Sequence, residues 1–359
     1  MINRPLGRQE LKKMIFVGDI ALPYKGAVKW DGIPEQFLKK NWFGNLEGAI
    51  VKGENEDIAK RIVFNDKEAV SHLVSEFSYK GFALANNHIF DTGDYHSTVG
   101  YLDQQKIPFC GIGESLFSSK KPLVLEEHGQ TIVILNFGWE VIQCEVTLGD
   151  HLGVNPLRKE HVMDSVRDAV KTYRGAKIIA FMHWSYELEA EPQPFERDLA
   201  RHLIDMGVTA VLGCHPHRIG GFEMYRGKPI VYSLGNWLFK QRYYRQGKSQ
   251  FPEFCSEQLA FEIDFESDNF FFHFFKYDKE ESRIDYICTE EGDSTKMQKY
   301  TPFKDLSPED YIKWYRKNRY HKGKGLPVYY WEDSRAVTNL KNQINKMRDC
   351  MVQFYLKLR

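Results

Sequence analysis

Asp, Glu, Asn and His stand at the ends of five apolar runs along this chain, each where a strand would hand over to a loop. The first run, MIFVGD (14–19), ends in Gly18-Asp19. The second carries Gly44-Asn45-Leu46-Glu47-Gly48. The third, GFALAN (81–86), runs into Asn87 and His88, with Asp91 three residues on. The fourth, AKIIAFMHW (176–184), holds His183 near its end, with Glu187 four residues on. The fifth, VTAVLG (208–213), passes into Cys214-His215-Pro216-His217. Imidazoles and carboxylates collected in this way form the donor set of a divalent metal centre and suit Mn, Fe or Zn. Two such cations about 3.5–4 Å apart clamp a phosphoryl-type group and lower the pKa of a bound water towards neutrality. A carboxylate can bridge the pair, and an Asn carbonyl adds a ligand without charge. In an extended segment His215 and His217 would point the same way.

Each piece alone has an ordinary explanation. Gly-Asp is a common turn, Asn-Asn-His a capping cluster, His-Pro-His a polar turn, and His183 a hydrogen-bonded core histidine. A single centre accounts for all five at once, at strand C-terminal ends, where open α/β sheets gather their ligands.

The elements that must position these groups are legible as alternating patterns. Besides the runs above, TIVILNF (131–137) and KPIVYSL (228–234) predict strands, and helices are expected at about 66–79, 94–105, 158–173 and 194–206. Pro194 and Gly207 bracket the last of these in the usual start-and-stop asymmetry. Buried strands alternating with helices predict a layered α/β sheet. After about residue 240 the pattern changes. Residues 258–266, 269–277 and 282–290 predict a β-meander with a tight turn at 266–269. Residues 291–333 look loop-rich, with Ser307 an N-cap. Val337, Leu340, Ile344, Met347, Met351 and Phe354 form one apolar helical stripe over 335–357; it predicts a helix packed on the body or, alternatively, one that pairs with another subunit. The division expected is a main domain at 1–290 and a C-terminal helical extension at 291–359.

Composition bounds the function. The 359 residues include 49 Lys+Arg and 49 Asp+Glu, so the formal net charge is zero, which excludes nucleic-acid binding through a general basic field. Aromatics at 14% argue against long disorder. No apolar run approaches the roughly 18 residues of a membrane-spanning helix. The basic N-terminus lacks the apolar stretch of a signal peptide. The expected location is therefore cytoplasmic, with membrane association only through partners. Six scattered cysteines with no Cys-x-x-Cys pair predict free thiols. No P-loop is present, and no Gly-x-Gly-x-x-Gly follows a strand. Arg61 could meet an anionic substrate or simply be solvated, and the basic, aromatic run at 312–325 could contact an anionic polymer or be a solvated loop.

The chain resembles the bacterial capsule-synthesis CapA family, poly-γ-glutamate biosynthesis proteins related to calcineurin-like metallophosphoesterases. The resemblance is carried by FVGDIAL (16–22), FGNLEGAIV (43–51), FALANNHIFDTG (82–93), GIGES (111–115), FMHWSYE (181–187) and, most specifically, GCHPHRIGGFEMYRGKPIVYSLGNWLF (213–239). It covers about residues 14–275. It implies a metallophosphatase-like β-sandwich flanked by helices. It also implies that Asp19 ligates the first metal, with Glu47 in the bridging region and Asn45 beside it. Asn87, His183 and His215 would serve the second metal, and His217 the first. His88 would be the acid, with Asp91 and Glu187 supporting it and Asn236 at the substrate.

Two departures stand out. Calcineurin-like enzymes carry Asp-x-His in the first motif, where this chain has Asp19-Ile20-Ala21. Their second motif begins Gly-Asp, where this chain has Gly44-Asn45. The function implied is a metal-dependent phosphoesterase-type hydrolase acting on an anionic small molecule or polymer of the capsule or cell envelope. The alternative is a non-catalytic assembly factor of a polymer synthesis or export complex. A homodimer through the C-terminal helix is a further expectation.

Overall fold

The computed structural model describes residues 11–53, 62–92, 95–127, 129–240, 250–292, 294–321 and 324–357. Apolar side chains alternate along each central strand, so every strand has two faces to bury and the molecule forms layers. A nine-stranded sheet runs in the order Lys29–Gly32, Arg283–Glu290, Phe270–Asp278, Glu257–Asp264, Lys13–Ala21, Asn41–Leu46, Ser78–Ala83, Phe109–Cys110, with Asn236–Phe239 also pairing to Lys13–Ala21. A six-stranded sheet runs Phe222–Tyr225, Lys228–Val231, Ala210–Cys214, Lys177–His183, Gln130–Gly138, Leu123–Glu127.

The two sheets meet through one set of faces. Phe16 and Phe43 from the first pack with Ile132, Ile134, Ile179 and Phe181 from the second, and the rings of Phe43 and Phe181 lie 5.4 Å apart. The alternate residues face outward: Val133, Leu135, Ala180 and Met182 share a core with Val162 and Val166 of helix Lys159–Thr172 and with Leu199 and Leu203 of helix Pro194–Asp205. Each fully buried Phe or Leu contributes roughly 1.5–3 kcal/mol, so the sandwich is a stiff frame for whatever its strand ends carry. This is the expected β-sandwich with flanking helices.

The expected meander forms as Glu257–Asp264, Phe270–Asp278 and Arg283–Glu290, all antiparallel. It is not a separate unit, because Glu257–Asp264 pairs antiparallel with Lys13–Ala21 and so extends the first sheet. Its first turn is closed by Asp264, whose carboxylate accepts from the backbone N–H groups of Glu266 and Ser267.

Beyond residue 290, helix Pro308–Asn318 is capped by Ser307, which accepts from Asp310 N–H at 3.1 Å. Helix Arg335–Lys357 forms as the stripe predicts, but the stripe does not pack on the body. Val337, Leu340, Ile344, Met347 and Met351 are 41–66% exposed. The side chain of Phe354 lies outside the described residues. The helix instead seats a polar face. Asn345 is buried, and its amide donates to the hydroxyls of Tyr186 and Tyr329 at 3.0 Å each. Those hydrogen bonds fix the helix rotation and leave the apolar stripe towards water. Among the described residues no helix is long and apolar enough to cross a membrane.

Candidate metal centre

Strand register assembles the site before any side chain is considered. Asp19 is level with both Asn45 and Asn236 on the strands either side of it. In the other sheet His183 is level with Cys214. Lys13–Ala21, Asn41–Leu46 and Ser78–Ala83 run parallel, as do Lys177–His183 and Ala210–Cys214, so their C-terminal ends gather at one edge of the sandwich. Gly18 allows the closest approach. A Cβ there would lie 1.9 Å from the carbonyl oxygen of Gly235, which accepts the backbone N–H of Asp19 at 3.0 Å.

His215 and His217 do converge, but not as an extended pair. Both have positive φ, +94° and +57°, so the expectation drawn from strand alternation is corrected. Their side chains meet the centre from a left-handed turn about Pro216. Such backbone costs of order 1–3 kcal/mol per residue and persists where surrounding contacts over-determine it. Here His215 N–H donates to the Asp19 carboxylate at 3.0 Å.

Six of the expected metal-site residues, Asp19, Asn45, Glu47, His183, His215 and His217, lie in one buried cluster, with half-buried Asn87 at its edge. Asp19 Oδ1 is 3.9 Å from His183 Nδ1, and Asp19 Oδ2 is 3.5 Å from His217 Nδ1. Glu47 Oε1 is 3.9 Å from His217 Nε2 and 3.7 Å from His88 Nε2. The rings of His183 and His215 lie 4.9 Å apart. Asn87 Oδ1 is 2.7 Å from His183 Nε2. Ligand atoms of Glu47, His183 and His215 all lie within 4.8 Å of one another, as do those of Asp19, Glu47 and His217, and those of Asp19, His183 and Cys214.

The electrostatics of this cluster fit divalent cations. Glu47 is fully buried, and neither carboxylate oxygen has a hydrogen-bond partner. Burial pushes its carboxyl well above the usual range, and the charges of Asp19, Asp91 and Glu187 push it further. Burial also raises Asp19, against the opposing pull of His217 and Asn45. Burial holds His183 and His215 well below the usual imidazole range, with neighbouring histidines adding to the effect. His215 Nδ1 is buried without a partner. Neutral imidazoles and paired carboxylates stripped of water are costly alone and are the donors Mn, Fe or Zn prefer. The residues present therefore fit such ions.

Around this cluster a second set of groups fixes orientation. Asn45 donates to Asp19 Oδ1 at 2.9 Å and accepts from Asn86 at 3.3 Å, so both arms of its amide are engaged within the protein. Asn236 is fully buried behind His217, with its Oδ1 2.9 Å from His217 Nδ1. His88 Nδ1 lies 2.7 Å from Asp91 Oδ2, and both side chains are 27% exposed, so this pair is at the open side. Glu187 is half-buried and near enough for its charge to act on Glu47. Arg61 lies outside the described residues.

Several supporting residues escape sequence reasoning. Asn86 takes no ligand position, yet its Oδ1 accepts from Gly48 and His88 N–H while its amide donates to the Leu46 carbonyl. Asn136 ties the two sheets together. It accepts from the N–H groups of Leu84 and Ala85 and donates to the Phe181 carbonyl. Its only signal is a lone amide inside the apolar run TIVILNF. Phe239 and Phe251 wall His217, with ring centroids 5.2 and 5.3 Å away.

Comparison with known proteins gives consistent matches. The family model described as "Bacterial capsule synthesis protein PGA_cap" matches residues 27–241. The PGA biosynthesis protein CapA of Bacillus subtilis (strain 168) is 28% identical over 216 residues, covering 59% of this chain and 56% of that protein. The capsule biosynthesis protein CapA of Bacillus anthracis is 24% identical over 218 residues, covering 59% of this chain and 53% of that protein. The chain spans about half the length of the curated relatives it matches. Among solved structures, the calcineurin-like phosphoesterase YfkN from Bacillus subtilis aligns with a TM-score of 0.38 and 12% identity, over 85% of this chain and 96% of that one.

Proposed function

The chain belongs to the bacterial capsule synthesis protein PGA_cap family, and from that membership we propose that it is a metal-dependent phosphoesterase-type hydrolase serving capsule, poly-γ-glutamate or other cell-envelope polymer biosynthesis. The observation that carries this reading is Glu47. Its carboxylate is fully buried with both oxygens unpartnered, and it faces the imidazoles of His183, His215 and His217.

Glu47 and Asp19 would hold the cations from one sheet, with Asn87 beside them, and His183, His215 and His217 from the other. Bound divalent cations, Mn, Fe or Zn, would supply Lewis acidity and charge neutralisation at a phosphoryl group. The remaining work falls to the chain itself. Asp91 takes the Nδ1 proton of His88 in a hydrogen bond, which leaves Nε2 to hold or deliver a proton at the open side. Asn236 orients His217 in the same manner through Nδ1. The buried walls of Phe239 and Phe251 keep water from the flank of that ring. The substrate class is an anionic phosphate ester, a small molecule or a polymer.

Metal analysis of purified protein is the test. Mn, Fe or Zn is expected, with a thermal shift on addition and hydrolysis of aryl phosphate mono- or diesters. Protein that holds no metal and shows no shift would remove this reading.

One observation favours a second reading, a non-catalytic assembly factor. Ala21 stands where the calcineurin-like first motif carries His, and it packs with Leu188, Phe239, Phe251 and Cys255, so the first position gains no imidazole from that strand. Substituting His88 separates the two readings. Lost turnover with retained metal supports the enzyme, and unchanged polymer output in the cell supports the scaffold.

A further inference from the structure

The loop that leaves His183 is held from both sides. It connects strand Lys177–His183 to helix Pro194–Asp205, and it bends through two positive-φ residues, Ser185 at +66° and Leu188 at +65°. On its inner side it is bonded to the centre. Trp184 N–H donates to the Cys214 carbonyl at 3.3 Å, and Leu188 N–H donates to the carbonyl of Pro216, between His215 and His217, at 3.0 Å. The loop thus controls one metal-ligating strand end and braces the turn that carries two more ligands.

On its outer side the same loop is gripped by residues far along the chain. Glu189, 1% exposed, accepts the N–H groups of Tyr320 and His321, at 2.8 and 3.4 Å, on its two carboxylate oxygens. His321 Nε2–H donates to the Glu187 carbonyl. The Tyr186 hydroxyl donates to the Pro327 carbonyl at 2.9 Å and accepts from Asn345 at 3.0 Å. All of these outer partners lie beyond residue 241, where the family match ends.

We propose that the C-terminal extension is a working part of the metal centre, clamping the Trp184–Glu191 loop so that His183 and the His215-Pro216-His217 turn keep ligating geometry, with Glu189 the positioning residue through which it acts. This rests on the metal-centre reading above. The physical basis is the strain in the loop. Left-handed backbone at Ser185 and Leu188 relaxes unless something over-determines it. The inner side adds Trp184 Nε1–H to the Tyr232 carbonyl at 2.9 Å and Arg218 to the Leu188 carbonyl at 3.5 Å, and the C-terminal partners hold the side chains of Tyr186 and Glu189 and the Glu187 carbonyl from the other side. A buried carboxylate accepting two backbone N–H groups is a strong tie, and it cannot be replaced by water in so enclosed a position.

Co2+ titration followed by visible absorption tests this, because the ligand-field bands report geometry at the ligands and not the melting temperature. Wild type, Glu189→Gln and Tyr186→Phe are compared. Expected are folded variants whose Co2+ affinity falls about 5- to 50-fold, near the range for losing an outer partner of a ligand, with displaced bands. Glu189→Gln keeps one acceptor and turns an NH2 towards the other N–H. Tyr186→Phe deletes only a hydroxyl and stands in if the first variant does not fold. Variants that melt lower yet keep wild-type affinity and spectrum would overturn the clamp and leave the metal centre intact. Wild type without Co2+ uptake would overturn both.

Discussion

The sulfur of Cys214 sits 3.2 Å from His183 Nδ1, on the opposite edge of the ring from Asn87, whose Oδ1 is 2.7 Å from Nε2. The thiol S–H points to the Met182 carbonyl at 3.5 Å. Burial, with the charges of Asp19 and Glu47, holds it protonated. Asn87 Oδ1 can only accept, so without a cation Nε2–H donates to it and Nδ1 faces the sulfur; a cation held by Nε2 and Asn87 would displace that proton, and the sulfur is placed to receive Nδ1–H. Outer partners that fix a ligand's tautomer are worth roughly 10–100-fold in metal affinity. Cys214→Ala is expected to weaken Zn2+ or Mn2+ binding by about that factor, and Cys214→Ser, which keeps an acceptor, by less. Chelator competition measures both, and equal affinities in all three proteins would contradict the assignment.

Glu47 gives a stability prediction with opposite signs in the two metal states. Without metal, burial forces a proton onto the Glu47 carboxyl in the folded state, and Glu47→Gln keeps the shape without that proton uptake. Metal-free Glu47→Gln is expected to be more stable than wild type at pH 7 by about 1–2 kcal/mol, since each tenfold of tighter proton binding costs about 1.4 kcal/mol at a pH where the unfolded carboxyl is ionised. With metal the order reverses. Saturation at 100 times Kd stabilises a binding-competent protein by about 2.7 kcal/mol, and the variant forgoes most of that gain. Paired thermal melts with and without cation decide the matter, and a variant less stable in both states would refute it.

Much of the buried cluster was legible in the sequence because polar groups at strand ends leave a local mark, an apolar run that stops at Asp, Glu, Asn or His. Asp19, Glu47, Asn87, His183, His215 and His217 all carry that mark, and the sandwich brings them together. What stayed hidden is non-local. The left-handed backbone at His215 and His217 comes from contacts with Asp19, 196 residues away in the case of His215, so strand alternation misdirects there. Glu189 meets Tyr320 and His321 at separations of 131 and 132 residues, and nothing in either segment announces the other. The C-terminal stripe misleads for the converse reason. Its periodicity is real, but Asn345 and the tyrosine hydroxyls, not apolar burial, decide which face of the helix is seated.

Glu196 makes stability depend on pH away from the metal centre. It is 1% exposed at the start of helix Pro194–Asp205, where its Oε2 accepts Gln193 N–H at 2.8 Å and its Oε1 has no partner. Burial first, and then the charge of Glu189, raise its carboxyl from 4.5 to about 8. The folded state thus holds this proton more tightly than the unfolded chain. The stability it contributes is fully present below pH 4.5 and is lost as pH rises through about 8. Glu196→Gln, a permanent mimic of the protonated form, should flatten that decline. Denaturant unfolding of metal-free protein at pH 5, 6.5 and 8 measures it, and parallel pH profiles for the two proteins would contradict the prediction.

His88 and Asp91 are the pair on which turnover would depend in the proposed hydrolase. The 2.7 Å contact between His88 Nδ1 and Asp91 Oδ2 sets the ring so that Nε2 lies 3.7 Å from Glu47 Oε1. Both side chains remain partly open to solvent, unlike the buried Asp19, Glu47, His183, His215 and His217 beneath them, so a bound ester could reach that nitrogen. General acid catalysis by one positioned side chain contributes about 10²–10⁴-fold. His88→Gln is expected to lower kcat on aryl phosphates within that range and to leave metal content unchanged. Asp91→Asn keeps a hydrogen-bonding partner for the ring at nearly constant shape, so it should lower kcat less than His88→Gln. A His88→Gln protein that loses its metal would instead place this histidine among the ligands. One that keeps both metal and full turnover would remove it from the chemistry.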